Sequence, residues 1–197
     1  LYQQLQLDSL VSGDSPIIAT KNLVVQGNAQ ALAPYFGDGA SSLILAAAEN
    51  LDISVDLDWG TASQANTRLV VMGAGEVRIQ PGANLNSVTS DLVISSRDHL
   101  TIEEVKLEVA QELAIRSLRD VELKNLTLGA DALTTIKARR DLNVDGLSFN
   151  RDVSRIVMEA TTMRLSNIDF PALSTVQLNS LKGGIEGRYP NFGSAIS

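Results

Sequence analysis

Leu92-Val-Ile-Ser-Ser-Arg-Asp-His-Leu-Thr-Ile-Glu-Glu-Val-Lys-Leu107 is answered 21 positions on by Leu113-Ala-Ile-Arg-Ser-Leu-Arg-Asp-Val-Glu-Leu-Lys-Asn-Leu-Thr-Leu128. Adding 21 again gives Thr134, Ile136, Ala138, Leu142, Val144, Gly146, Leu147 and Phe149. Within each block an apolar or small residue recurs at steps of two, which is strand alternation; a helix would need steps of three and four. A fixed period in the twenties means a stacked solenoid, in which each lap buries its inward side chains against the laps on either side.

The same pattern extends in both directions with less regular spacing. Leu43, Leu45, Ala47, Leu51 and Ile53 form one lap, and Leu69, Val71, Gly73, Val77 and Ile79 the next. On the carboxyl side Ile156, Met158, Ala160, Met163, Leu165, Asn167, Ile168 and Phe170 repeat it, followed by Val176, Leu178 and Ser180. At the amino end Leu5, Leu7 and Ser9 align with Leu113, Ile115 and Ser117, and the triplet Lys21-Asn22-Leu23 aligns with Lys124-Asn125-Leu126. The expectation is an all-β, single-stranded, right-handed parallel β-helix of about eight turns of about 21 residues, a single domain spanning residues 1–197. The right hand rests on the strong preference of parallel crossover connections.

Each lap contains a change of phase. Leu123 is followed by Leu126 and Leu128, so inward parity switches between the second and third apolar pairs. The residue before the switch is Asn22, Asn125, Gly146 or Asn167, and Glu104 in one lap. Asn and Gly tolerate the left-handed backbone region, so a sharp corner is expected there. The outward positions test the register separately. It stacks Glu103, Lys124 and Asp145 with alternating sign and sets Asp98 against Arg119, while Arg116 over Lys137 is an unfavourable pair that Glu159 relieves.

Composition narrows the function classes. The chain has 197 residues, 44% of them hydrophobic and only 4% aromatic, which suits a narrow interior of similar aliphatic layers. A net charge of −7 argues against a nucleic-acid partner, which needs a positive footprint. Zero cysteines and one histidine leave a poor ligand supply for zinc, and no cofactor is expected. No apolar run approaches the length of a membrane span, so no membrane insertion by this segment is expected. The chain opens on Leu1 rather than Met, and it is expected to be a mature product or a fragment of a larger repetitive protein.

Candidate sites are sparse. Long corners at residues 26–42, 58–68 and 82–91 fall on one edge near the amino end and carry Tyr35, Phe36 and Trp59, the candidate ligand-binding surface. The competing reading has these rings covering the open end of the solenoid. Asp52, Asp56 and Asp58 alternate along one outward strand and offer paired carboxylates, against a simple solvated acidic strand. His99 would have to serve any Ser-His-Asp triad, but no nucleophile elbow accompanies it. Gly37-Asp38-Gly39 and Gly73-Ala74-Gly75 lack the Lys-Ser/Thr of a phosphate loop.

The strings Leu113 to Leu128 and Ala138-Arg-Arg-Asp-Leu-Asn-Val-Asp-Gly-Leu-Ser-Phe149 resemble the repeats of filamentous-haemagglutinin-like adhesins, over about residues 43–193. The resemblance implies a right-handed parallel β-helix in a secreted or cell-surface bacterial protein, structural and adhesive, displaying loops toward carbohydrate or a surface protein of a host or neighbouring cell. The enzyme-class alternative is a β-helical polysaccharide lyase or hydrolase, for which Asp52, Asp56 and Asp58 are the available acids. A self-assembling filament is a third reading, opposed by the polar, glycine-rich last turn around Gly183, Gly184 and Gly187.

Overall fold

The computed structural model describes residues 3–6, 17–26, 30–31, 42–58, 67–87, 90–182 and 185–188, and contains strands and no helix among them. Strand alternation becomes three faces. The first is an eight-stranded sheet of Ile17–Thr20, Ser42–Ala47, Arg68–Gly73, Asp91–Ser96, Glu112–Ser117, Leu133–Ala138, Arg155–Ala160 and Thr175–Ser180, each pairing with the next. The second runs through Gln3–Gln6, Leu23–Gln26, Leu51–Ile53, Val77–Ile79 and His99–Glu103 into Asp120–Gly129, Asp141–Phe149, Thr162–Ile168 and Ile185–Arg188. The third holds Gln30–Ala31, Leu57–Asp58, Leu85–Asn86 and Lys106–Glu108, and joins the far half of Asp120–Gly129. All the pairings are parallel, as a chain coiling in one sense requires. The molecule is a β-solenoid of about six turns of about 21 residues.

Ile102 lies beside Leu123 and Leu123 beside Val144, in adjoining layers as the periodicity requires. All three are buried, within a continuous core running from Leu23 to Val176. Each buried leucine contributes roughly 1.5–3 kcal/mol relative to leaving it exposed. Small inward residues end the first-face strands: Ala47, Gly73, Ser96, Ser117 and Ala138 stack in register. Their size has a cause. A Cβ on Gly73 would come 2.7 Å from Val77 Cγ2, because the chain turns onto the second face immediately afterwards. Where the small residue is Ser, its hydroxyl satisfies the corner backbone: Ser96 Oγ donates to Gly75 O at 2.7 Å, and Ser117 Oγ to Asp98 O at 2.6 Å.

The phase change sits where the later laps place it. Glu104 (φ 51°), Asn125 (φ 51°), Gly146 (φ 80°) and Asn167 (φ 53°) all occupy the left-handed region. Each separates two buried residues of opposite parity, as Leu123 and Leu126 are. The amino-terminal lap is corrected on two points. Leu23 pairs with Leu51, so Lys21-Asn22 stands at the corner between first and second faces and is not equivalent to Lys124-Asn125. Gln3–Gln6 pairs with Leu23–Gln26, which puts Leu5 on the second face, not the first. Asn22 stacks by its side chain: Asn50 N donates to Asn22 Oδ1 at 3.1 Å, and Glu76 N to Asn50 Oδ1 at 3.0 Å.

The corners read from sequence as long loops also contain strands. Gln30–Ala31 lies within 26–42 and Leu85–Asn86 within 82–91, both on the third face.

Candidate functional site

Tyr35, Phe36 and Trp59 lie outside the described residues. Asp52, Asp56 and Asp58 do not share a strand face: Asp52 is on the second face, Asp58 on the third, and Asp56 occupies the corner between them. Asp56 holds that corner, its Oδ1 accepting from Asn84 N at 2.7 Å and Asn84 Nδ2 at 3.1 Å. Asp52 accepts from Gln80 Nε2 at 3.0 Å.

His99 stands between two carboxylates, with Nδ1 3.2 Å from Asp120 Oδ2 and Nε2 3.6 Å from Asp98 Oδ1. Asp98 also receives Arg119 Nη1 at 2.6 Å, a hydrogen bond that holds its carboxyl below the usual range and raises the guanidinium's own pKa. Glu76, Asp120, Glu122 and Asp141 line a shallow acidic hollow of about 320 Å³ around His99. Among the described residues no group of three or more His, Cys, Asp or Glu is placed to hold a metal ion.

A larger depression than this hollow lies along the edge of the first face. Two ridges build it. One is the last outward position of each first-face strand, where Ala46, Met72, Ser95, Arg116, Lys137 and Glu159 follow one another in register. The other is the next corner, whose Ala74, Arg97, Leu118, Arg139 and Leu181 are exposed. Its rungs are hydrogen bonds between laps: Ala74 N to Ala47 O, Arg97 N to Gly73 O and Leu118 N to Ser96 O at 3.0 Å, Arg139 N to Ser117 O at 3.1 Å, and Leu181 N to Ala160 O at 3.0 Å.

The groove between the ridges has a volume of about 860 Å³. Its apolar lining includes Ala46, Ala48, Met72, Ala74, Leu118 and Leu181. Met72, Leu118 and Leu181 are 42%, 57% and 66% exposed, unusual for large aliphatic side chains set in one strip. Arg97, Arg116, Lys137 and Arg139 add positive charge against the single carboxylate of Glu159. Lys137 is paired with Glu159 at 3.1 Å, and Arg116 reaches Glu112 only at 4.0 Å. Arg97 and Arg139 make no side-chain ion pair among the described residues.

Sequence reasoning missed this groove, although a signal was present. Inward positions create the periodicity, whereas the groove is made of outward ones. Arg116 over Lys137, two cations stacked in register and answered by the single carboxylate of Glu159 in the next lap, marked the place.

Fold and groove together define a parallel β-solenoid with a lateral, basic-rimmed apolar channel. No protein-family model, curated protein or solved structure matches the chain.

Proposed function

We propose that the chain is a structural and adhesive segment of a secreted or surface-exposed bacterial protein of the filamentous-haemagglutinin-like kind, and performs no bond-making chemistry. In this reading the solenoid is right-handed and has eight turns, one for each strand of the first face. It displays its surface toward carbohydrate or a protein of a host or neighbouring cell, with Tyr35, Phe36 and Trp59 as loop contacts.

The observation that supports it is how the polar side chains are used. Asp56, Asn84, Asn22 and Asn50 bond from one lap to the next. Asp98 and Arg119 bridge laps as well. Side chains spent on stacking suit a rod that presents a surface.

The purified chain on beads is expected to retain mammalian or bacterial cells above a blank-bead control. It is expected to leave uronate and neutral polysaccharides without new reducing or unsaturated ends. Turnover of any of these polymers that is lost in Asp56→Asn would replace this reading with the lyase or hydrolase alternative.

A further inference from the structure

We infer that the groove along the first-face edge is a docking site for an extended acidic peptide segment that carries apolar side chains among its carboxylates. The inference rests on the binding-scaffold reading above but assigns a surface other than the loops.

Dimensions come first. The lining runs from Ala46 to Leu181, across the first-face strands Ser42–Ala47 to Thr175–Ser180. At about 4.8 Å per strand, the six steps between these strands make a channel about 29 Å long. An extended chain rises about 3.4 Å per residue, so eight or nine residues, roughly, fill it.

Chemistry comes second. The protein carries a net charge of −7, yet this strip gathers Arg97, Arg116, Lys137 and Arg139. Charge complementarity therefore selects an anionic occupant and disfavours cationic ones. Guanidinium groups bind carboxylates through paired N–H donors, and Arg97 and Arg139 are free among the described residues to do so.

The lining decides between anionic classes. Acidic polysaccharides bind best where aromatic faces meet the sugar rings, and among the described residues no aromatic lines this groove. An anionic membrane needs a broad, continuous apolar surface, whereas Met72, Leu118 and Leu181 stand on the two ridges interspersed with Arg97, Arg116 and Arg139, above a floor of the small residues Ala47, Gly73, Ser96, Ser117 and Ala138. Exposed aliphatic side chains alternating with cations along the ridges suit a chain alternating Leu or Val with Glu or Asp. Its apolar groups pack against Met72, Leu118 and Leu181 while its carboxylates reach Arg97 and Arg139.

The test uses the whole chain and a fluorescein-labelled octapeptide of alternating Leu and Glu. Comparators are the Leu/Lys and Gly/Glu octapeptides, a polygalacturonate oligomer, and vesicles of phosphatidylglycerol. Fluorescence anisotropy is expected to show the Leu/Glu peptide binding at least about tenfold tighter than either peptide comparator. The advantage over Leu/Lys is expected to shrink as salt rises. Arg97→Glu with Arg139→Glu is expected to weaken Leu/Glu binding by about tenfold or more. Leu118→Asp does so by replacing an apolar contact with a repelling carboxylate.

Both variants alter exposed side chains, and a thermal melt close to the parent's certifies their fold. Equal binding of the Leu/Glu and Leu/Lys peptides, or Leu/Glu binding untouched by both variants, overturns the proposal. So does polygalacturonate or vesicle binding that the variants abolish when the peptide shows none. A chain that binds the peptide but retains no cells keeps the groove and loses the adhesive reading; the converse loses only the groove.

Discussion

Between Leu51 and Asn86 the chain passes from second face to third by a different device from the one it uses between His99 and Ile168. From Ile53 to Leu57 is a step of four, and from Ile79 to Leu85 a step of six. In the later laps Ile102 to Leu107, Leu123 to Leu128 and Val144 to Phe149 are all steps of five. An even step lets extended backbone keep both ends facing inward; an odd step turns one end outward unless a residue leaves the β region. The later laps therefore place one left-handed residue at each corner.

The earlier laps rely more on side chains. Asn84 Oδ1 accepts from Lys106 N at 3.1 Å while its own amide binds Asp56, a ladder over three laps. The six-residue corner adds a turn. Pro81 and Gly82, with Ala83 N bonded to Gln80 O at 3.1 Å and Gly82 at φ 82°, have the residues and bonding of a type II turn. One solenoid thus makes its corners with one left-handed residue after an odd step in one half, and in the other with even steps held by side-chain hydrogen bonds and one glycine turn.

The largest expected effect breaks a late corner. Gly146 holds φ 80°, and a Cβ there would lie 2.5 Å from Asn125 Oδ1 and 3.1 Å from Asn125 Cα. Gly146→Val combines left-handed strain of about 1–2 kcal/mol with overpacking of similar size, so a loss of about 3 kcal/mol is expected. Gly82→Ala provides the early counterpart. Its φ is 82° but nothing lies within 4 Å of an added Cβ, so only the strain, about 1–2 kcal/mol, should appear. Guanidinium denaturation midpoints read both. Equal losses would mean that close stacking at Asn125 contributes nothing.

A gain should follow where a late corner has an ill-suited residue. Glu104 sits at φ 51° with an exposed side chain, the one late corner without Asn or Gly. Glu104→Gly relieves the strain but makes the unfolded chain more flexible, leaving a net gain of about 0.5–1 kcal/mol. A lower denaturation midpoint for this variant would show that the corner is held by something other than backbone preference.

These two kinds of corner also explain which parts of the architecture could be read from residues alone. In the later laps the chemistry is local: an odd step together with Asn or Gly marks the bend, so Asn125, Gly146 and Asn167 were legible. In the earlier laps the third face is only two residues wide per strand, as in Gln30–Ala31 and Leu85–Asn86. Two residues carry no period, and those strands passed for loop. Asn22 misled because one residue type does two jobs: Asn125 bends its own backbone, whereas Asn22 receives the amide of Asn50 from the neighbouring lap. The groove was hidden for another reason. Met72, Arg97 and Leu118 come together only when laps are stacked and corners projected, so their proximity belongs to register and not to any single stretch.

The smallest expected effect separates the two halves by acid. Beyond Asp91 three carboxyls are held below their ordinary values: Asp98 by Arg119, Glu108 chiefly by Lys106, and Asp145 by Ser166 and then Asn167. In the earlier half Glu49 is lowered, by Asn22 and then Lys21. A lowered folded-state pKa means that the unfolded chain takes up the proton first. The stabilisation is complete above the ordinary values of 3.8 for Asp and 4.5 for Glu, and is lost as pH falls through the lower folded-state values. These groups are solvent-exposed, so each effect is small and weakened by salt. In a solenoid stability is approximately a sum over neighbouring laps, and hydrogen exchange resolves it lap by lap. Between pH 6 and pH 3, after correction for intrinsic exchange, backbone amides of 99–168 should lose more protection than those of 42–79. A uniform loss, or a greater one in the earlier laps, would show that carboxylates outside these four control the acid response, and that the two halves differ in corner geometry but not in electrostatics.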